Sequence, residues 1–133
     1  MQGFNIFKLQ KTIVNRSIKE MAKRRNELSS LKCVPCRGGV PPMEDKEVKL
    51  MLNDVQGWKK AEDEVDKIEK LFQFKNFKES MIFVNKVAEI AEEEGHHPDI
   101  FIQWNKVRLT LWTHAINGLF KNDFILAAKI DEI

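Results

Sequence analysis

The chain has 133 residues, of which 43% are hydrophobic, and this length and composition suit one ordinary domain with a real core. Charged residues make up 32% of the chain, which argues against a membrane protein and against a low-complexity chain. The small net charge of +2 hides an asymmetry, because residues 1–40 carry nine basic and two acidic side chains while residues 41–133 are acidic overall. A basic tail weakly indicates nucleic acid or another acidic partner, but such tails are usually just solvated.

The segment 32–42 separates this tail from the rest of the chain. It holds three of the four prolines and two of the six glycines, so neither a helix nor a strand can run through it. We therefore predict a basic N-terminal extension over residues 1–31 and a domain over residues 32–133. Cys33 and Cys36 form a lone C-x-x-C with no secretory stretch ahead of it, which indicates a reducing compartment and a cytoplasmic protein.

The first half of the domain predicts a helix, a hairpin and a second helix. Apolar residues at helical spacing predict the first helix from Glu44 to about Val55. Alternation between residues 58 and 74, with an acidic turn at 62–64, predicts two strands. The second helix has the clearest signals, because Asn76 with Glu79 resembles a capping box and Gly95 stands where a left-handed C-terminal residue is expected.

A second hairpin is predicted from two alternating runs, residues 99–104 and 107–113, with Asn105-Lys106 as the loop. If Trp104 faces Val107, all inward residues are apolar, and a slip by one residue would destroy that separation. This register places His97 directly opposite His114.

Asn122 or Asp123 is then expected to cap a last amphipathic helix that runs through Ile133. The predicted order is αββαββα. We expect an α+β domain, with a four-stranded antiparallel sheet and three helices packed on one of its faces.

All three histidines, His96, His97 and His114, lie within nineteen residues, and the predicted register makes them converge. Imidazole can donate and accept a proton near neutral pH, which general acid–base chemistry requires. Simpler interpretations stay open, since a histidine before a proline can be a turn residue and one at a strand end can bond backbone. A zinc site completed by the two cysteines is less favoured, because adjacent histidines point in different directions and nothing in the sequence ties the cysteine segment to the hairpin.

These residues also resemble a known family. The matching stretches are EEEGHHP at 92–98, WNKV at 104–107, TLWTH at 110–114 and Asp123, with upstream matches at 57–58, 72–77 and 33–42. Together they resemble the signature of the pterin carbinolamine dehydratases over about residues 32–133, and CVPCRGGVPP is typical of the start of bacterial members.

The resemblance implies dehydration of a 4a-hydroxytetrahydropterin, a by-product of aromatic amino acid hydroxylases, to the quinonoid dihydropterin, without a metal or an organic cofactor. It implies that the three histidines hold and protonate the substrate, and that Glu92 and Asp123 orient or tune them. Trp58 would line the pterin pocket. Each of these last three has a plain alternative: a solvated helix end for Glu92, a helix cap for Asp123 and a buried hairpin tryptophan for Trp58.

One position departs from the animal members, which carry an arginine immediately before the aspartate where this chain has Asn122. A guanidinium contact to the pterin is therefore absent or replaced. The alternative function is a non-catalytic interaction module, since animal relatives also act as dimerisation cofactors of a transcription factor. Outward-facing Phe101 and Trp112 predict self-association into a homodimer or homotetramer. No motif supports nucleic-acid binding, and no membrane partner is expected.

Overall fold

The computed structural model describes the backbone of residues 6–133 and the side chains from residue 17 onward. Four helices and four strands follow one another along the chain. They are α1 (Ile6–Ser30), α2 (Asp45–Leu52), β1 (Lys59–Lys60), β2 (Ile68–Gln73), α3 (Phe77–Glu94), β3 (Asp99–Gln103), β4 (Lys106–Leu111) and α4 (Lys121–Ile130). A short 3₁₀ turn, His114–Ile116, lies between β4 and α4.

The strands form one antiparallel sheet in the order β1-β2-β4-β3. Alternation along the two central strands separates its faces, because Ile68, Val107 and Leu109 are buried while Leu71 and Arg108 are exposed. The α+β class and the four-stranded antiparallel sheet predicted from the sequence are thus confirmed.

The fourth helix comes from the N-terminal segment. Most of the predicted extension forms α1, whose last turns pack against α4, and residues 1–5 lie outside the described part. Leu28 belongs to the core, and Lys129 Nζ donates to the Ser29 carbonyl at 2.8 Å. Helix α4 is consequently buried at every position from Asn122 to Ala128, whereas an amphipathic helix covered on one side would bury only one stripe.

Both ends of α3 follow the sequence signals. The Asn76 side chain accepts a hydrogen bond from the Glu79 N–H at 2.9 Å, and Gly95 ends the helix with φ of 62°. The Glu79 carboxylate accepts from the Lys75 N–H at 3.0 Å, one residue earlier than in a standard capping box. These two predicted helix boundaries are confirmed.

The predicted register of the second hairpin is wrong by two residues. Ile102 pairs with Val107 and Ile100 with Leu109, and the loop is Trp104-Asn105 rather than Asn105-Lys106. Trp104 takes the positive φ of 48°, because Asn105 is held by β2 through two bonds with Phe74, N–H to carbonyl at 2.7 Å and amide to carbonyl at 3.0 Å. A shift of two residues keeps every side chain on its face, so the apolar pattern cannot detect it.

The start of α4 also differs from the prediction. Phe120 is the N-cap residue, and Asp123 lies at the third helical position, where its carboxylate accepts from the Phe120 N–H at 2.9 Å. The helix ends at Ile130 rather than Ile133. Asp123 therefore satisfies the helix N-terminus from inside the first turn, as the acidic member of a capping box does. Among the helices that the structure describes, none is long and apolar enough to cross a membrane.

Candidate active site

A cavity of about 370 Å³ lies between the C-terminal end of α3, the end of β4 with the 3₁₀ turn that follows it, and residues 34–36. All three histidines line it, as expected from their closeness in the sequence and from the family resemblance, although the predicted hairpin register that also made them converge is wrong. In the observed register the ladder stops at Asp99 and Thr110, so His97 and His114 are not cross-strand neighbours. The 3₁₀ turn instead carries His114 to the cavity, and Thr113 anchors that turn by its N–H bond to the Gly118 carbonyl at 2.8 Å.

His96 forms a short hydrogen bond with a fully buried carboxylate. Its Nε2 lies 2.6 Å from Asp123 Oδ1, and the Asp123 side chain has no solvent exposure. The other oxygen, Oδ2, accepts from the Thr113 hydroxyl at 2.8 Å and from the Phe120 N–H at 2.9 Å. Because an ionised carboxylate only accepts, His96 Nε2 is the donor, and its Nδ1 is left as the acceptor nitrogen.

His97 lies at the rim of the cavity. Its Nε2 is 2.7 Å from Glu92 Oε1, and both side chains are mostly exposed, at 60% and 78%. An exposed pair of this kind contributes little to stability, typically below about 1 kcal/mol. Glu92 therefore orients a rim histidine, while Asp123 orients an inner one.

His114 is held by stacking. Its ring lies 3.9 Å from the Trp112 ring, centroid to centroid, at an angle of 25°. Trp112 is itself fixed, since its Nε1 donates to Asp99 Oδ2 at 3.0 Å and the Lys67 ammonium lies 4.5 Å above its ring. No side-chain hydrogen bond to His114 occurs within the described residues, so both of its ring nitrogens can meet a ligand.

Trp58 lies elsewhere and does not line the cavity. It is 5% exposed and lies in the core, where its Nε1 donates to the Asp131 carboxylate at 3.1 Å. Its ring meets the Phe72 ring edge-on, with the two centroids 6.1 Å apart. The structure places it in a structural role, as the plain alternative for this residue proposed.

Seven of the lining residues were not predicted as site residues: Val34, Cys36, Gly95, Trp112, Thr113, Ala115 and Asn122. Val34 and Asn122 are joined by two hydrogen bonds: the Asn122 amide accepts from the Val34 N–H at 2.9 Å and donates to the Val34 carbonyl at 2.6 Å. The segment 33–42 is thereby tied to α4, a tie for which the sequence offered no signal beyond the concentration of Pro and Gly. Within residues 17–133, no three His, Cys, Asp or Glu side chains are grouped so that they could hold a metal ion.

Taken together, the structure shows a small α+β domain in which carboxylate-bonded histidines line one cavity, a set of side chains that can donate and accept protons. The model of the family described as pterin 4 alpha carbinolamine dehydratase matches residues 41–133. Relatives named "Putative pterin-4-alpha-carbinolamine dehydratase" include one from Rubrobacter xylanophilus, 42% identical over 81% of this chain and 99% of its own. Another, from Methylococcus capsulatus, is 46% identical over 80% of this chain and 92% of its own.

Two solved structures are also similar to this chain. A crystal structure of a transcriptional coactivator/pterin dehydratase from Brucella melitensis superposes with a TM-score of 0.65 at 33% identity, over 68% of this chain and 96% of that one. A pterin dehydratase-like RuBisCO assembly factor of the alpha-carboxysome shares the fold alone, with a TM-score of 0.50 at 23% identity, over 58% of this chain and 88% of that one. The chain belongs to the pterin carbinolamine dehydratase family.

Proposed function

We propose that the protein eliminates water from a 4a-hydroxytetrahydropterin to give the quinonoid dihydropterin. The observation that carries the proposal is the buried Asp123–His96 pair opening into the same cavity as His114. A reaction of this kind follows hydroxylation of aromatic amino acids, so the protein would serve tetrahydropterin recycling beside such a hydroxylase.

The elimination requires one acid and one base. The N5 lone pair forms a double bond to C4a, the C4a–O bond breaks, and the hydroxyl leaves as water after taking a proton from the acid. The N5–H proton passes to the base, and exchange with solvent then restores both groups. Proton transfer by positioned side chains typically accelerates such steps by about 10²–10⁴-fold.

We assign the base to His96 and the acid to His114. The Asp123 carboxylate fixes the His96 tautomer with Nδ1 as acceptor and stabilises the imidazolium that forms when His96 takes a proton. His114, with no protein partner for its ring nitrogens in the described part, can present an N–H to the leaving oxygen. His97, at the exposed rim beside Glu92, binds the substrate rather than exchanging protons with it.

The test is a hydroxylase-coupled assay that follows loss of the 4a-hydroxytetrahydropterin absorbance. We expect His96→Ala and His114→Ala each to lower kcat on the order of 100-fold or more, and His97→Ala mainly to raise KM. Gln103→Ala is the control variant, because Gln103 lies on the edge strand β3 outside the cavity lining and its replacement should leave kcat and KM unchanged. A wild-type protein that accelerates the reaction no more than buffer does would end the proposal.

A second candidate, a homo-oligomeric interaction module, is favoured by the outer face of the sheet and by the Brucella relative, which is described as both a transcriptional coactivator and a pterin dehydratase. Phe101 and Leu71 are 54% and 59% exposed on either side of Arg108, whose guanidinium lies 5.0 Å above the Phe101 ring. Trp112 is only partly exposed and is engaged by His114. Sedimentation of the wild type and of Phe101→Ser tests this candidate, with a wild-type monomer at high concentration counting against it.

A further inference from the structure

The segment from Cys33 to Pro42, here called the cysteine loop, follows the chain between His114 and Asp123 along its length. In the middle of the loop, a β-carbon on Gly38 would lie 3.2 Å from the Ala115 carbonyl oxygen. Further along, a β-carbon on Gly118 would lie only 2.6 Å from Pro42 Cβ. These approaches place the loop directly on the segment that carries two site residues.

Hydrogen bonds fix the beginning of the loop equally firmly. The Cys33 N–H donates to Glu94 Oε2 at 2.7 Å, at the end of α3, and Glu94 Oε1 lies 3.2 Å from Lys129 Nζ on α4. The Asn122 amide bonds both the N–H and the carbonyl of Val34. These two bonds from one amide fix the backbone of Val34, two residues before Cys36.

The result is a wall of the cavity made by Val34 and Cys36, which share its lining with the histidines. We propose that this wall contacts the bound substrate through Cys36, and that Asn122 is the positioning residue that holds the wall. The inference rests on the proposed function, because it concerns the pterin that the cavity would bind.

The two cysteines provide an internal comparison. Cys33 Sγ lies 3.6 Å from the Asn122 carbonyl, and burial, together with the negative charge of Glu94, raises the pKa of its thiol to about 12. Cys33 should therefore resist alkylation at mildly alkaline pH, where the thiolate is the reactive form. Cys36 is partly exposed and lines the cavity, so a ligand there should shield it.

The experiment measures alkylation of the full chain by iodoacetamide, cysteine by cysteine, using mass spectrometry. The probe is 7,8-dihydrobiopterin, whose Kd is first measured by calorimetry. At a concentration about ten times that Kd, simple competition slows Cys36 alkylation about tenfold, while Cys33 stays unmodified with or without the probe. A second variant pair tests the wall directly: Cys36→Phe should raise KM and Kd at least about tenfold, and Val40→Phe, exposed and outside the cavity, should not.

The positioning role of Asn122 is tested against Asn105, whose amide also bonds a backbone carbonyl but at the far end of the hairpin. Asn122→Ala should raise KM about 5- to 30-fold with a smaller change in kcat, as expected for loss of two hydrogen bonds, whereas Asn105→Ala should leave KM unchanged. At the same probe concentration, Asn122→Ala should also reduce the protection of Cys36 from about tenfold to about threefold or less.

The outcomes are separable. Measurable dihydrobiopterin binding and dehydratase activity with no protection of Cys36, or a Cys36→Phe variant with unchanged KM, would refute the contact between Cys36 and the substrate. The proposed function would be unaffected by either result. Absence of both pterin binding and activity would overturn the proposed function and the wall with it. If Asn122→Ala and Asn105→Ala affect KM alike, the positioning role of Asn122 is refuted.

Discussion

Replacing Asp123 by asparagine should separate catalysis from folding. Asparagine has nearly the same shape, and its oxygen can still accept from the Thr113 hydroxyl and the Phe120 N–H, as Asp123 Oδ2 does at 2.8 and 2.9 Å. Its NH₂ group would then face His96 Nε2, where two donors cannot bond. His96 must change tautomer, which moves its proton to Nδ1 and removes the base.

The expected loss is large in rate and modest in stability. A histidine held in the wrong tautomer costs on the order of 10²–10⁴-fold in kcat. The buried charge-assisted bonds become neutral ones, at about 1–3 kcal/mol of unfolding free energy. A domain with a typical stability of about 5–15 kcal/mol survives that loss.

Asp123→Ala is the contrasting variant, since it leaves three donors without an acceptor: the buried Thr113 hydroxyl and the partly buried Phe120 N–H and His96 Nε2–H. A buried donor without a partner costs about 1–3 kcal/mol and a partly buried one costs less, so Asp123→Ala should lower the free energy of unfolding more than Asp123→Asn does. Thr113→Val serves as the control, because it removes one donor and should lower stability while leaving the His96 tautomer intact. The measurements are urea unfolding and kcat in the coupled assay. Wild-type kcat in a folded Asp123→Asn variant would refute the assignment of His96 as the base.

Three further predictions concern stability, each measured by urea unfolding. Burial opposes ionisation of Glu94, but bonds from the Cys33 N–H and Lys129 outweigh it and lower the pKa of the carboxyl. The stability that this contributes is fully present above the ordinary pKa of 4.5 and is lost as the pH falls through the lowered pKa. Glu94→Gln should therefore cost stability at about pH 6 and progressively less as the pH is taken below that ordinary value. An equal cost above and below that value would contradict this. Gly118→Ala should cost about 1–3 kcal/mol through its clash with Pro42, and a neutral result would show that the cysteine loop yields. Leu28→Ala, 7% exposed, should cost about 2–4 kcal/mol if α1 is part of the cooperative unit, and no change would exclude that.

The elements that the sequence predicted best are those fixed by local chemistry. Helix α3 has an Asn cap, an apolar stripe and a terminal Gly, and all three signals act within a few residues of the boundary that they set. The strands were recognisable because one face of the sheet is buried. The histidine cluster was found because its members are close in sequence and resemble the family signature.

The features that could not be predicted from the sequence depend on contacts between distant segments. The hairpin loop was misplaced because the bonds that hold Asn105 come from β2, about thirty residues earlier in the chain. The full burial of α4 depends on α1, whose basic composition indicated a solvated tail. The Val34–Asn122 clamp joins residues 88 positions apart, and no local pattern records it. Such contacts are decided by tertiary packing rather than by propensity.

The docking of α1 on α4 has a practical consequence for anyone shortening this protein. The family match begins at residue 41, so a truncation at that point looks natural. It would also remove Leu28 and the Ser29 carbonyl from α4 and uncover part of a helix whose residues 122–128 are all buried. Newly exposed apolar surface of this kind promotes aggregation. The same truncation would remove Val34 and Cys36 from the cavity lining, so the shortened chain would lose solubility and part of its site together.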